Sequence, residues 1–159
     1  MHCAGLRRAL AEASAVAYIT QNPLAAGLIA IGKTAIAKED DAALRAYFAP
    51  GYILHLPGAD IDFMTLRAYF ASLRDAFDDL TVTRAFIIGE DRYLAARTIF
   101  SGTFSRPFMH AIAGELPPTG KFIEWHVMNI FRYDAADKLA EEWVQNDSRI
   151  FLEKLTSAA

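Results

Sequence analysis

The chain has 159 residues, 53% of them hydrophobic and 22% charged, which is enough apolar material for one domain with its own core and excludes a disordered tail. Its 16 Lys and Arg against 19 Asp and Glu leave a formal charge of -3. The charges are scattered rather than striped, so nucleic acid is not an expected partner. The single cysteine, Cys3, excludes an intrachain disulfide frame, a CxxC redox pair and a thiolate zinc cluster, and fits a reducing, cytoplasmic setting.

In chain order, Leu6, Leu10, Ala13 and Ala17 recur at helical spacing around Arg7, Arg8 and Glu12. This predicts a short amphipathic helix in an N-terminal extension over residues 1–22, ahead of a domain over 23–159. Glu12 interrupts the small-residue run that would otherwise resemble a leader, and Leu24 to Ile31 falls short of the ~20 residues of a spanning helix, so no membrane segment is expected. A second helix runs from Pro23 or Leu24 to Lys38, with Leu24, Leu28, Ile31 and Ala35 on one face. Ala42, Leu44, Tyr47 and Phe48 form a short helix closed by Pro50 and Gly51, and Tyr52 to Leu56 reads as a strand ending at Pro57 and Gly58.

Phe63, Leu66, Tyr69, Phe70, Leu73 and Phe77 repeat at three and four, the pattern of a long amphipathic helix. From Leu80 the period changes to two, and four strands are expected: Leu80 to Ile88, Tyr93 to Phe104, Lys121 to Tyr133 and Lys138 to Asp147. Ser105 to Thr119, with Pro107, Gly114, Pro117 and Pro118, is a wide irregular connection placed to act as a lid. Ser148 to Leu155 ends the chain as a helix or tail. Helices followed by long antiparallel strands make an α+β fold in which a curved sheet wraps the Phe63 to Phe77 helix, leaving a cavity on the concave face with apolar walls and few polar groups.

The stretch Pro118 to Trp125, then Asn129 to Tyr133, then Leu139 to Trp143 with Asp147, resembles the C-terminal hallmark of the SnoaL-like polyketide cyclases, in the NTF2-like superfamily. Upstream, Tyr47 to Tyr52 and His55 with Pro57 and Gly58 are similar to that family's first helix-to-strand passage, so the likeness spans roughly Ala25 to Leu155. Two departures stand out. The hairpin Asp134 to Lys138 replaces a tight Asp-Gly-Lys turn, and the extension over 1–22, which either packs across a dimer or is free, is not required by the family pattern. The resemblance implies a cone-shaped, cystatin-like fold with a mostly antiparallel sheet. It also implies cofactor-independent acid–base chemistry on an apolar carbonyl compound (intramolecular aldol closure or isomerisation), and a homodimer formed through the outer face of the sheet.

Strand alternation places Ile123, Trp125, Val127, Asn129, Phe131 and Tyr133 on one face, where Asn129 is the strongly polar member. On the next strand Leu139, Glu141, Trp143, Gln145 and Asp147 share a face, and the register taken from the resemblance sets Asn129 opposite Trp143 and Trp125 opposite Asp147. A carboxylate beside indole rings is partly desolvated and becomes a better proton acceptor, so Asp147 is either a general base or simply the cap of the segment that follows. His55 and Asn129 are candidate hydrogen-bond donors to a developing enolate oxygen. Trp125, Trp143, Phe131, Phe63, Tyr69 and His126 are candidate substrate contacts, although alternation puts His126 on the opposite, outer face and the aromatic residues are by default core. His110 in the wide connection faces either a lid or solvent. His55, His110 and His126 have no HxH or HxxxH spacing, and no GxSxG elbow exists, so neither a metal nor a serine nucleophile is expected. A non-catalytic binding or dimerisation module of the same fold, and a ketosteroid-isomerase-like or epoxide-hydrolase-like enzyme, remain as alternatives.

Overall fold

A computed structural model describes residues 18–157. The expected N-terminal helix lies almost wholly outside the described residues. Its last part, Tyr18 to Thr20, is extended rather than helical, and Ile19 bridges Ile87 in parallel.

Helix α1 (Leu24–Ile31) continues into a π-helical turn, Gly32–Ile36. Ala25, Leu28, Ile31 and Ala35 are buried, as the spacing predicts. The two helical glycines have packing reasons: a Cβ on Gly32 would sit 3.3 Å from Val82, and one on Gly27 would sit 3.3 Å from the ring of Tyr47. Helix α2 (Asp41–Tyr47) is capped by Asp40, whose side chain accepts from the Ala43 amide. It leads straight into β1 (Phe48–Leu56), so the strand begins before Pro50 and Gly51 instead of after them. Pro57 and Gly58 make a hairpin turn into the short β2 (Ala59–Asp62), which periodicity did not reveal.

Asp62 then caps α3 (Phe63–Ala76), which buries Leu66, Phe70, Leu73 and Ala76 in one stripe. A large apolar side chain buried as fully as Leu73 contributes about 1.5–3 kcal/mol. Four strands complete the main sheet: β3 (Phe77–Glu90), β4 (Tyr93–Phe104), β7 (Phe122–Tyr133) and β8 (Leu139–Asn146). The wide connection is not irregular throughout; it carries a small hairpin, β5 (Phe108–His110) with β6 (Gly114–Leu116). Helix α4 (Ser148–Thr156) follows β8.

The six-stranded sheet has the order β2-β1-β8-β7-β4-β3. Every pair is antiparallel except β1 with β8. Register shifts in β3, β8 and β1 interrupt the ladders, and bulges of this kind increase twist and let a long sheet curve around a helix. The hairpin that lacks glycine is held by Asp134, whose carboxylate accepts from the amides of Ala136 and Lys138, while Asp137 takes the left-handed conformation at φ 58. None of the helices among the described residues is long and apolar enough to cross a membrane.

Candidate functional site

The concave face of the sheet is divided along its strands. Toward α4 it is aromatic: Trp125 stacks on Phe100 at 5.2 Å and meets Phe77 and Phe151 at 5.2 and 4.7 Å. Toward the β3–β4 and β7–β8 hairpins it is polar, and a hydrogen-bonded chain crosses it. Glu142 on β8 accepts from the Tyr52 hydroxyl at 2.7 Å and from Asn129 Nδ2 at 2.7 Å. Thr98 donates to Asn129 Oδ1 at 2.6 Å and accepts from Arg84. The two charged ends, Arg84 and Glu142, are thus linked through Thr98 and Asn129.

Glu142 is only 8% exposed, and Asn129, Thr98 and Tyr52 are buried with it. Burial pushes the Glu142 carboxyl above its usual value, opposed by the Tyr52 hydroxyl, the Arg84 charge and Asn129. Burial also lowers the proton affinity of Arg84, whose guanidinium lies 5.3 Å over the Phe131 ring. Beside this chain the hydroxyls of Tyr47 and Tyr133 meet at 2.5 Å. Burial raises both phenols, Tyr133 to about 12, so at neutral pH they remain protonated donors. The same two rings line a groove of 770 Å³ together with Asn22, Leu24, Arg92 and Asp137.

Glu142 is the site residue that strand alternation missed. Tyr133 pairs with Leu139 but Arg132 pairs with Glu141, so Ala140 is an extra residue on β8. A one-residue bulge reverses the parity of everything after it. Leu139, Glu142 and Val144 therefore face inward and Glu141 and Trp143 outward, which corrects the expected face of Glu141, Trp143 and Gln145. Asn129 pairs with Val144 rather than Trp143, and Trp125 lies beyond the end of the β7–β8 ladder instead of opposite Asp147. A pair of adjacent glutamates after a hairpin longer than the family's was the available signal.

The remaining candidates are dispersed. Asp147 is exposed, and its carboxylate accepts from the Ile150 amide at 3.0 Å as the cap of α4. His55 lies on the outer face near the sheet edge, stacked on Trp143 at 5.1 Å, with Nδ1 2.8 Å from Asp60 and Nε2 2.8 Å from Glu141. Those two bonds, the one to Glu141 first, raise its proton affinity. Glu141 in turn pairs with Arg132 at 2.7 Å and is held below the usual carboxylate range. His126 is on the outer face as alternation predicts, bonded to Glu124 at 2.7 Å and to Arg97. Asp147 and His126 share a shallow groove there.

Phe131 and Trp125 belong to the interior, Phe63 is half-buried 4.9 Å from Phe48, and Tyr69 is 40% exposed beside Phe108. His110 is buried, not solvated: its Nδ1 accepts from the Ile112 and Ala113 amides at 3.3 and 3.2 Å and closes the β5–β6 turn. Among the described residues no group of three or more His, Cys, Asp or Glu side chains is placed to hold a metal ion.

An α+β fold with a large curved sheet is the architecture of the NTF2-like proteins. The sequence profile of the SnoaL-like polyketide cyclases matches residues 32–153, and the chain belongs to that family. Among solved structures it is similar to IdmH of Streptomyces antibioticus, named as a candidate polyketide cyclase, at 26% identity and TM-score 0.67 over 84% of this chain and 96% of that one. It is also similar to AclR of Streptomyces galilaeus, named as a candidate hydroxylase, at 21% identity and TM-score 0.68 over 83% and 78%. A third likeness is to a candidate SnoaL-like polyketide cyclase of Jannaschia sp. CCS1, at 16% identity and TM-score 0.68 over 86% and 91%. No curated protein matches the sequence with significance.

Proposed function

We propose that the concave cluster is a catalytic centre for cofactor-independent proton transfer on an apolar carbonyl compound, of the kind that closes a ring by an intramolecular aldol step or moves a double bond. The observation that carries this reading is the burial of Glu142 with two donors on its carboxylate. Desolvation makes such a group a stronger proton acceptor near neutral pH. Two hydrogen bonds leave carboxylate lone pairs open to a substrate proton.

In this scheme the ligand's hydrocarbon rests on the aromatic half of the face, and its carbonyl oxygen accepts from whichever of the Tyr47 and Tyr133 hydroxyls is not donating to the other. Glu142 takes the proton from the carbon beside that carbonyl and later returns it, while the phenols hold the negative charge that develops on oxygen. Asn129 orients Glu142 and ties it to Thr98 and Arg84. Asp147 and His55 have no part in the chemistry, because one caps a helix and the other bonds Asp60 and Glu141 on the outer face.

The outward positions of Asp147 and His55 favour a second reading, a non-catalytic module that only binds an apolar small molecule. That reading expects no ionisable group in the interior, and Arg84 and Glu142 weigh against it. The same carboxylate would also serve a ketosteroid-isomerase-like or epoxide-hydrolase-like reaction on a substrate of another shape.

Deuterium exchange at the acidic carbon of aryl 1,3-diketones in heavy water, followed by proton NMR, separates the readings without the true substrate. The catalytic reading expects the protein to accelerate exchange and Glu142→Gln to lose about 100-fold or more of that acceleration. No acceleration by the wild type, or an unimpaired variant, would leave only the binding module.

For the assembly we propose a homodimer through the outer face of the sheet. One row there, His55, Trp143, Ile130, Ala95 and Ile88, runs through adjacent registered positions of five strands. Ile130 and Ile88 are 48% and 51% exposed, and an apolar row of this kind on a soluble domain marks a contact surface.

A further inference from the structure

The proton-transfer scheme needs Glu142 to take a proton and to give it back, so what its neighbours can accept matters as much as what they donate. The chain of hydrogen bonds that ends on Glu142 starts at Arg84 on β3. Arg84 Nη1 donates to the Thr98 hydroxyl, Thr98 donates to Asn129 Oδ1 at 2.6 Å, and Asn129 Nδ2 donates to Glu142 Oε1 at 2.7 Å. Thr98, Asn129 and Glu142 are buried, and the Arg84 Nε is shielded from solvent. The guanidinium carbon lies 5.3 Å over the Phe131 ring, a cation–π contact that helps to hold the head group in place.

The direction of these bonds is set at the two ends. A guanidinium can only donate, so Thr98 can only accept on that side. Its single hydroxyl hydrogen is left for Asn129, and at 0% exposure it is shut off from bulk water. That hydrogen requires the oxygen of the Asn129 amide, which leaves Nδ2 facing Glu142. Turning the amide over would set Nδ2 against Thr98 and strand a buried hydroxyl hydrogen, which is costly in a desolvated place. It would also bring Oδ1 to Glu142, where it repels the carboxylate and accepts from the protonated acid. An amide held the first way supports the charged base; one free to turn supports the acid and keeps the proton that the ligand must recover. Among the described residues the charged and titratable groups facing Glu142 are Tyr52 on β1, Arg84 on β3, Tyr47 on α2 and Tyr133 on β7. The Arg84 charge also favours the carboxylate directly, in the same direction as the chain, and a change that breaks the chain without touching the charge separates the two effects.

We infer that Arg84 is a positioning residue: as the donor-only end of the chain it fixes the Asn129 amide with Nδ2 toward Glu142, so that Asn129 supports the base and cannot retain the proton that Glu142 takes from the ligand. The inference deepens the proposed function and rests on that reading for its catalytic meaning. The orientation of the amide is a property of the free protein and is tested without a substrate.

The test is a carboxyl carbon NMR titration of Glu142 in the whole chain, with the Asn129 side-chain amide followed in parallel. In the wild type the Asn129 amide protons should shift through the Glu142 midpoint, an observation that needs no variant and is not blunted by a folding defect. Arg84→Lys keeps a donor-only end and Thr98→Ser keeps the hydroxyl, so both should leave the midpoint close to the wild-type value. In Arg84→Gln the new side chain can accept at its oxygen and lets the chain run in reverse, while Thr98→Val removes the link with no change of charge. Each of these two should raise the midpoint by about one pH unit and move the acidic limb of diketone exchange with it. A midpoint unmoved in Thr98→Val would show that Arg84 acts by its charge through space, and overturns the inference. So does an Arg84→Lys midpoint as high as that of Arg84→Gln, or an Asn129 amide indifferent to the ionisation of Glu142. The expected midpoint shifts without diketone exchange by the wild type sink the catalytic reading and keep the orienting role of Arg84; exchange with unmoved midpoints does the reverse.

Discussion

Replacing Glu142 by glutamine keeps the side chain's volume and removes its charge, and the structure fixes how the effect depends on pH. The carboxylate accepts from Tyr52 and from Asn129; the amide accepts only on its oxygen and donates from its nitrogen, as the protonated acid does from its hydroxyl, so glutamine stands in for the protonated form. Burial raises the Glu142 carboxyl above its usual value of 4.5, so between that value and the higher folded value the native state binds more protons than the unfolded chain. Wild-type stability therefore falls as pH rises through that window, by about 1.4 kcal/mol for each unit separating the two values. Glutamine does not titrate. Urea unfolding of both proteins, extrapolated to water across the acidic and neutral range, should show the variant within about 1 kcal/mol of the wild type at about pH 4 and increasingly the more stable of the two toward neutral pH. Other carboxylates, including the Arg-paired Asp41 and Asp78, contribute equally to both curves and cancel. A difference that stays constant with pH, or a variant that loses ground to the wild type as pH rises, would mean that burial does not disfavour the charged carboxylate, and Glu142 would not be the proton acceptor.

Three further outcomes follow from the same geometry. Asp147→Ala, which removes the cap of α4, should lower stability by about 0.5–2 kcal/mol in urea unfolding and leave diketone exchange at the wild-type rate; loss of exchange would return Asp147 to the site. His55→Gln should lower the thermal midpoint most in acid: its proton affinity is raised above 6.5 by Glu141 and Asp60, so its stabilisation is complete below that value and disappears as pH rises through the folded value. A midpoint difference independent of pH would show that the histidine's charge contributes nothing. Ile130→Glu, at the centre of the outer apolar row, should shift the mass seen by light scattering from about twice 17.6 kDa to the single-chain value, and an unchanged dimer would place the contact elsewhere.

Much of the fold was legible because its signals are periodic. The stripe Leu66, Phe70, Leu73 announced the long helix, and alternation from Ile123 to Tyr133 identified both the inward face of β7 and Asn129 as its polar member. What escaped was set by departures from period. One extra residue, Ala140, reversed the faces of β8, hiding Glu142 and crediting Trp143 and Asp147 with inward positions they do not hold. Arg84 escaped for another reason: alternation places it on the inward face of Leu80 and Val82, but an arginine is by default read as exposed. Asp147 shows the limit of reading chemistry from residue type, since a carboxylate at the start of a helix caps it whether or not a ligand is near. His110 shows the converse, a histidine in a proline-rich connection that burial turned into the lock of a small hairpin.

Burial should make Glu142 hold its proton more tightly in the folded protein than a free glutamate does. Side-chain carboxyl carbon NMR of glutamate-labelled protein, with the Glu142 signal assigned by its absence from Glu142→Gln, measures this directly. The titration midpoint should lie above 4.5. A midpoint at or below 4.5 would show a carboxylate stabilised in its charged form, which would contradict the account.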